Sequence, residues 1–179
     1  MRAKTVKTGA PLWERWCRTW LLAMGAQWRG MNSKYGNSGA PLLISGQGYN
    51  KSTFCRSLIP PCLQWGYTDN MSVENKRGLM LAMAEMLLIN LDEFNQISCR
   101  NQEGFLKNLI QLASVKAKRP YGKHVEELPR LASFIATTNI ADSLSDPSGN
   151  RRFIGIELSE PIDVSVSIHH DQLYAQIVH

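Results

Sequence analysis

Short apolar runs end in polar or charged residues at several points along this chain: "PLLIS" (41–45), "MLLINLDEF" (86–94), "LASFIATTN" (131–139) and "RRFIGIELSE" (151–160). They are continuous rather than alternating, the pattern of strands buried on both faces. Helix-patterned sequence lies between them, and parallel neighbours need such crossover connections. The expected fold class is therefore α/β, a mainly parallel sheet sandwiched by helices. At 179 residues the chain suffices for one compact core and is short for two large ones.

Residues 11–28, "PLWERWCRTWLLAMGAQW", carry Leu12, Trp16 and Trp20 four apart, with Trp13, Cys17 and Met24 alongside. That spacing predicts an amphipathic helix with Pro11 near its start, packed on the core. A helix is expected from Lys51 to Leu58, stopped by Pro60 and Pro61. "CLQWGYTD" reads as a short strand, "VENKRGLMLAMAEM" and "EGFLKNLIQLASVKA" as helices, and "KRPYGKHVEELPR" as a loop or hairpin. "HHDQLYAQIVH" reads as a helix just beginning. The expected division is an N-terminal helical segment (1–30), a core (31–165) and the start of a C-terminal helical region (166–179).

The net charge of +5 admits a polyanionic partner without requiring one. Cys17, Cys55, Cys62 and Cys99 show no metal-ligand spacing and read as free thiols in a reducing compartment. No apolar run reaches the roughly 18 to 20 residues that span a bilayer. No membrane partner and a cytoplasmic location are expected.

Chemistry concentrates after the first run. "SGQGYNKS" (45–52) overlays the phosphate-loop pattern GxxxxGK[ST] on Lys51 and Ser52. Ser45 and Asn50 stand where that pattern has glycine, while Gly46 and Gly48 remain within the loop. Asparagine is among the few residues besides glycine that tolerate the left-handed region. Lys51 would meet the β/γ-phosphates and Ser52 a magnesium ion. An ordinary strand, turn and helix is the other reading of this stretch.

Partner motifs favour the first reading. Asp92 and Glu93 end a run about 40 residues on, where Asp92 suits the magnesium shell and Glu93 suits activation of a water. Asn139 ends the next run and could reach that water or the γ-phosphate; as a turn cap it needs no such role. Arg151 and Arg152 leave the tight turn of "DPSGNRRF"; either could neutralise charge on a transferred phosphoryl, in cis or across a subunit boundary. The order of the four motifs is that of an AAA+-type ATPase.

On "GQGYNKSTF", "LLINLDEF", "RPYGKHVEELPR", "FIATTN" and "DPSGNRRF", the sequence resembles the virulence-associated E family of phosphate-loop proteins, related to superfamily 3 helicases. The resemblance covers roughly residues 12–176. It implies a P-loop NTPase core using ATP and Mg2+, forming a homo-oligomeric ring on single-stranded DNA, or RNA, in replication of a mobile element or phage. It assigns Gly46, Gly48, Asn50, Lys51, Ser52 and Thr53 to the phosphate loop. Ser52 and Asp92 fall to the metal, and Glu93, Asn139 and Arg151 or Arg152 to catalysis. In the related helicases a pore-facing hairpin lies between the acidic pair and the sensor, which makes Arg119, Lys123 and His124 candidates for a nucleic-acid backbone. It also implies a longer parent protein with a primase-like region and a C-terminal region. Two rivals to a motor stand beside this reading: a nucleotide-gated binding module with little turnover, and an inactive relic.

Overall fold

The computed structural model describes residues 12–31, 36–97, 106–140 and 152–178. In chain order the elements are α1 (Leu12–Trp28), β1 (Ala40–Ile44), α2 (Lys51–Ser57), β2 (Tyr67–Thr68), α3 (Lys76–Glu85), β3 (Leu88–Leu91) and a single turn α4 (Lys107–Leu109). There follow β4 (Ser114–Ala117), β5 (Glu126–Pro129), β6 (Ser133–Thr138), β7 (Phe153–Glu157) and α5 (His170–Val178). Short 3-10 turns occupy Pro61–Gly66 and Phe94–Gln96.

Five strands form one sheet in the order β2-β3-β6-β1-β7, and every neighbouring pair in it is parallel. β1, β3 and β6 are buried along their whole length, as their continuous apolar runs require. Side chains alternate between two layers. Leu43, Leu88, Ile135 and Ile156 join Trp20, Met24, Cys55 and Leu58 on the side of α1 and α2. Leu42, Ile89, Phe134 and Phe153 join Leu79, Met83, Leu109 and Val115 on the other. The expected two-faced parallel sheet is present.

Local chemistry sets the helix ends. α2 ends at Ser57, three residues before Pro60, because a proline's ring clashes with the preceding turn. Asn75 caps α3 by accepting the Gly78 N–H at 3.0 Å.

Three expectations need correction. "SVKA" is β4, not the end of a helix: Val115 and Ala117 are buried, Lys116 faces out, and β5 pairs with it antiparallel. Pairing with β5 thus overrides the helical reading of 114–117. Only two residues of "CLQWGYTD" form a strand, since Pro61 starts a 3-10 turn that runs to Gly66. On α1 the stripe facing the core runs through Trp13, Cys17, Trp20 and Met24, while Leu12 and Trp16 are exposed. Packing of this helix, the expected outcome, therefore uses a face rotated by one residue from the Leu12–Trp16–Trp20 line. Cys17, Cys55 and Cys62 are free thiols, and Cys99 lies outside the described residues.

At the edge where the strands begin, a polar network is sealed inside. Arg130 donates to the carbonyls of Ala132 (2.7 Å), Asn37 (3.1 Å), Leu112 (3.2 Å) and Ile110. Gln27 of α1 donates to the Arg130 carbonyl (2.8 Å) and accepts from the Asn37 N–H (2.6 Å). Asn37 reaches Ser133 Oγ at the start of β6 (3.1 Å). Gly36 allows this approach, because a Cβ there would sit 2.4 Å from the Leu112 carbonyl oxygen and 2.5 Å from the guanidinium. Burial lowers the Arg130 pKa, and the carbonyl ring replaces the water it has lost.

Replacing Arg130 with Met removes the donor to four carbonyls, which costs at least about 3 kcal/mol of folding stability in urea unfolding. A loss below about 1 kcal/mol would show that water substitutes for the guanidinium.

Candidate active site

Parallel strands all end at one edge, and three adjacent ends supply the polar residues here. Leu42, Leu43 and Ile44 of β1 pair with Ala136, Thr137 and Thr138 of β6. On its other side, β6 pairs Ala136 with Leu91 of β3. Continued past the strand ends, the register sets Ser45 beside Asn139 and Asp92 beside Thr137, at the same edge of the sheet. A cavity of about 400 Å3 opens there, lined by residues of all three ends, including Lys51, Ser52, Asp92, Glu93, Thr137 and Asn139.

Lys51 opens α2 and is nearly buried. Its ammonium donates to Ser45 Oγ (2.9 Å), the carbonyls of Ser45 (3.1 Å) and Gly46 (2.8 Å), and Asn139 Oδ1 (2.9 Å). Desolvation pulls its pKa below the usual lysine value, and the Asp92 charge pulls back up. Ser52 donates to Asp92 Oδ1 at 3.0 Å, and Thr137 Oγ1 donates to the same oxygen. Thr138 donates to Asn95 Oδ1 (3.1 Å), bridging β6 to the turn after the acidic pair.

Three residues of the cavity wall have positive φ: Gly48 (φ 78), Asn50 (φ 58) and Glu93 (φ 49). Asn50 thus adopts the left-handed backbone that the sequence pattern leaves to glycine. Glu93 adopts the conformation where the chain turns sharply from β3 into the Phe94–Gln96 turn, and its carboxylate accepts from the Gln96 amide. Non-glycine residues adopt such angles at some energetic cost.

Of the residues singled out in the sequence, Gly48, Asn50, Lys51, Ser52, Thr53, Asp92, Glu93 and Asn139 line this one cavity, and Gly46 contacts Lys51 through its carbonyl. Arg152 does not join them. It precedes Phe153, which pairs with Ala40 at the strand-start edge, so about 16 Å of strand separates it from the cavity. It lines a different cavity with Trp16, Trp20 and Asn37. Arg151 lies outside the described residues.

Arg119, Lys123 and His124 are exposed in the connection between β4 and β5, outside the cavity lining. That segment is a hairpin, and Arg119 lies 3.7 Å from Glu126 across it. Sequence reasoning missed Asn95, Gln96 and the Ile162 backbone as supports of the site. The polar residues following the acidic pair were a visible signal for the first two; Ile162, more than 100 residues from the loop, had none.

A family model described as virulence-associated protein E-like domain matches residues 7–179. The chain belongs to that family. Curated proteins gave no match. Among solved structures, the apo C-terminal region of NrS-1 is similar at a TM-score of 0.57 and 18% identity, covering 99% of this chain and 45% of that one. Its A form gives 0.54 at 17% identity, with 99% and 43% covered. The likeness at these identities is one of fold, and this chain spans less than half the length of those relatives. No helix among the described residues is long and apolar enough to cross a membrane.

Asp92→Asn removes the charge that raises the Lys51 pKa, so the Lys51 titration midpoint moves to lower pH. Carbon-13 NMR of the labelled lysine side chain reads this directly; an unmoved midpoint contradicts the Coulombic coupling.

Proposed function

We propose that this virulence-associated protein E-like domain binds ATP with Mg2+ in the strand-end cavity and hydrolyses it, as the motor unit of a replication protein of a mobile element or phage. The observation that carries this is the meeting of Lys51, the Ser52–Asp92 pair, Glu93 and Asn139 in one cavity. They come from three strand ends separated widely in sequence. An incidental lysine after a glycine-bearing bend has no reason to face an acidic pair and a strand-end amide.

In this reading Lys51 exchanges its carbonyl and amide acceptors for phosphate oxygens, and the first N–H groups of α2, which lack intrahelical acceptors, face the same anion. Ser52 Oγ and Asp92 are hard oxygen donors that suit Mg2+, which needs only one or two protein ligands beside phosphates and water. When bound, the ion neutralises charge on the phosphates. Glu93 accepts the proton of the attacking water, and Asn139 holds that water or the terminal phosphate in line. Arg152, at the far edge of the sheet, can serve a phosphoryl group only across a subunit boundary, which accords with a ring. The exposed Arg119, Lys123 and His124 supply cationic or polar contacts for single-stranded DNA or RNA.

A binding module with little turnover has one specific observation in its favour. The Glu93 carboxylate is engaged by Gln96 and must be released before it can act as a base.

Steady-state hydrolysis with Mg2+, with and without single-stranded DNA, tests the proposal. Lys51→Ala is expected to abolish binding and turnover together. Glu93→Gln is expected to retain binding while turnover falls by about a hundredfold or more. Nucleotide binding without wild-type turnover would select the binding module, and no nucleotide binding would overturn the reading altogether.

A further inference from the structure

Asn50 stands where the phosphate-loop pattern has glycine, and its left-handed backbone (φ 58, ψ 24) explains only why asparagine is permitted. Its side chain gives a second reason. It makes no cap bond to its own helix. Instead Nδ2 donates to the carbonyl of Ile162 at 3.0 Å, 112 residues away. The Ile162 N–H in turn donates to the Tyr49 carbonyl at 3.2 Å. One residue of the segment after β7 is thus gripped on both its backbone groups by two consecutive loop residues.

The same segment holds the other end of α2. His170 Nε2 is 2.8 Å from the Ser57 carbonyl oxygen, and the Tyr174 hydroxyl donates to the Leu58 carbonyl at 2.7 Å. Those are the terminal carbonyls that a helix leaves unsatisfied. Tyr174 also stacks on Trp28 of α1, with ring centroids 5.4 Å apart. Ile162 is itself buried beside Leu43, Cys55 and Leu58. The short helix that begins with Lys51 is therefore bracketed from Ile162 to Tyr174.

We propose that Asn50 is a positioning residue that locks the loop before Lys51 to the segment 158–174, so that loop geometry and the placement of α5 are one coupled state. A glycine at position 50 would keep the backbone angle and lose the lock. Its effect on ligand affinity rests on the nucleotide reading above; the lock itself does not. The two make opposite predictions for Asn50→Gly: restoring the glycine pattern should improve nucleotide binding, whereas releasing the lock should weaken it. Coupling is reciprocal, so loosening the far end of α2 must be felt at the loop.

The test is hydrogen–deuterium exchange on the ligand-free full chain for wild type, Asn50→Gly, Asn50→Asp and Tyr174→Phe, followed by titration with Mg2+ and ATPγS. Aspartate keeps the shape of asparagine but opposes the Ile162 carbonyl with an acceptor. Expected is faster exchange in 46–50 and 158–174 together in all three variants, with β3 and β6 unchanged. The dissociation constant rises about three- to tenfold in each. Unchanged exchange in 158–174 on Asn50→Gly overturns the lock, as does a uniform loss of protection that includes the central strands. Faster exchange with equal or tighter nucleotide binding overturns the coupling to the ligand. If the wild type binds no nucleotide, the functional reading fails, and the exchange pattern alone still decides the lock.

Discussion

The parallel pairing of β6 with β1 on one side and β3 on the other is the constraint from which the remaining features follow. Parallel strands must each be re-entered from the same edge, so their exits share the opposite edge. Residues placed immediately after the strands are then neighbours whatever their separation in sequence. Ser45 meets Asn139 and Asp92 meets Thr137 for that reason, and Lys51 reaches Asn139 across 88 residues. Slipping β6 by one residue would turn Ala136 and Phe134 away from their layer, so the apolar core enforces the register that the polar cluster needs.

The two edges of the sheet solve opposite problems. At the entry edge the Arg130 guanidinium is satisfied by protein carbonyls and the Gln27 and Asn37 amides close the network. Those partners are all protein groups, which suits a structural role. At the exit edge, polar groups surround an open volume instead, and two non-glycine residues there hold left-handed backbone. Left-handed backbone beside an open polar cavity supports the proposed placement of ligand chemistry at this edge.

Strand identity was legible because each central strand is a continuous apolar run, and the polar residue ending each run signalled the exit edge. Lys51, Ser52, Asp92, Glu93 and Asn139 could thus be assembled before any geometry was known. The β4–β5 hairpin was harder to read. In "LASVKA" the apolar spacing fits a helix as well as a strand, and only pairing with "EELP" nine residues later decides it. Both supports provided by the segment after β7 were invisible for a different cause. Backbone carbonyls and amides carry no sequence signature, so the grip on Ile162 could not be read from its side chain.

The free state of Lys51 bears on what the cavity can select. Three ammonium protons already face four oxygen acceptors from Ser45, Gly46 and Asn139, so an entering ligand gains only the difference between its own oxygens and these neutral ones. A neutral or weakly polar ligand gains almost nothing by such an exchange. An anion replaces neutral acceptors with charged ones, adding direct Coulombic attraction to bonds whose donor is already ionised. Asp92 opposes the same anion unless its charge is offset, and in the proposed reading the Mg2+ held by Ser52 and Asp92 supplies that offset. In the proposed nucleotide reading, preference for a metal-bound polyanion over a free one follows from the pairing of Lys51 with its neighbours rather than from the shape of the cavity.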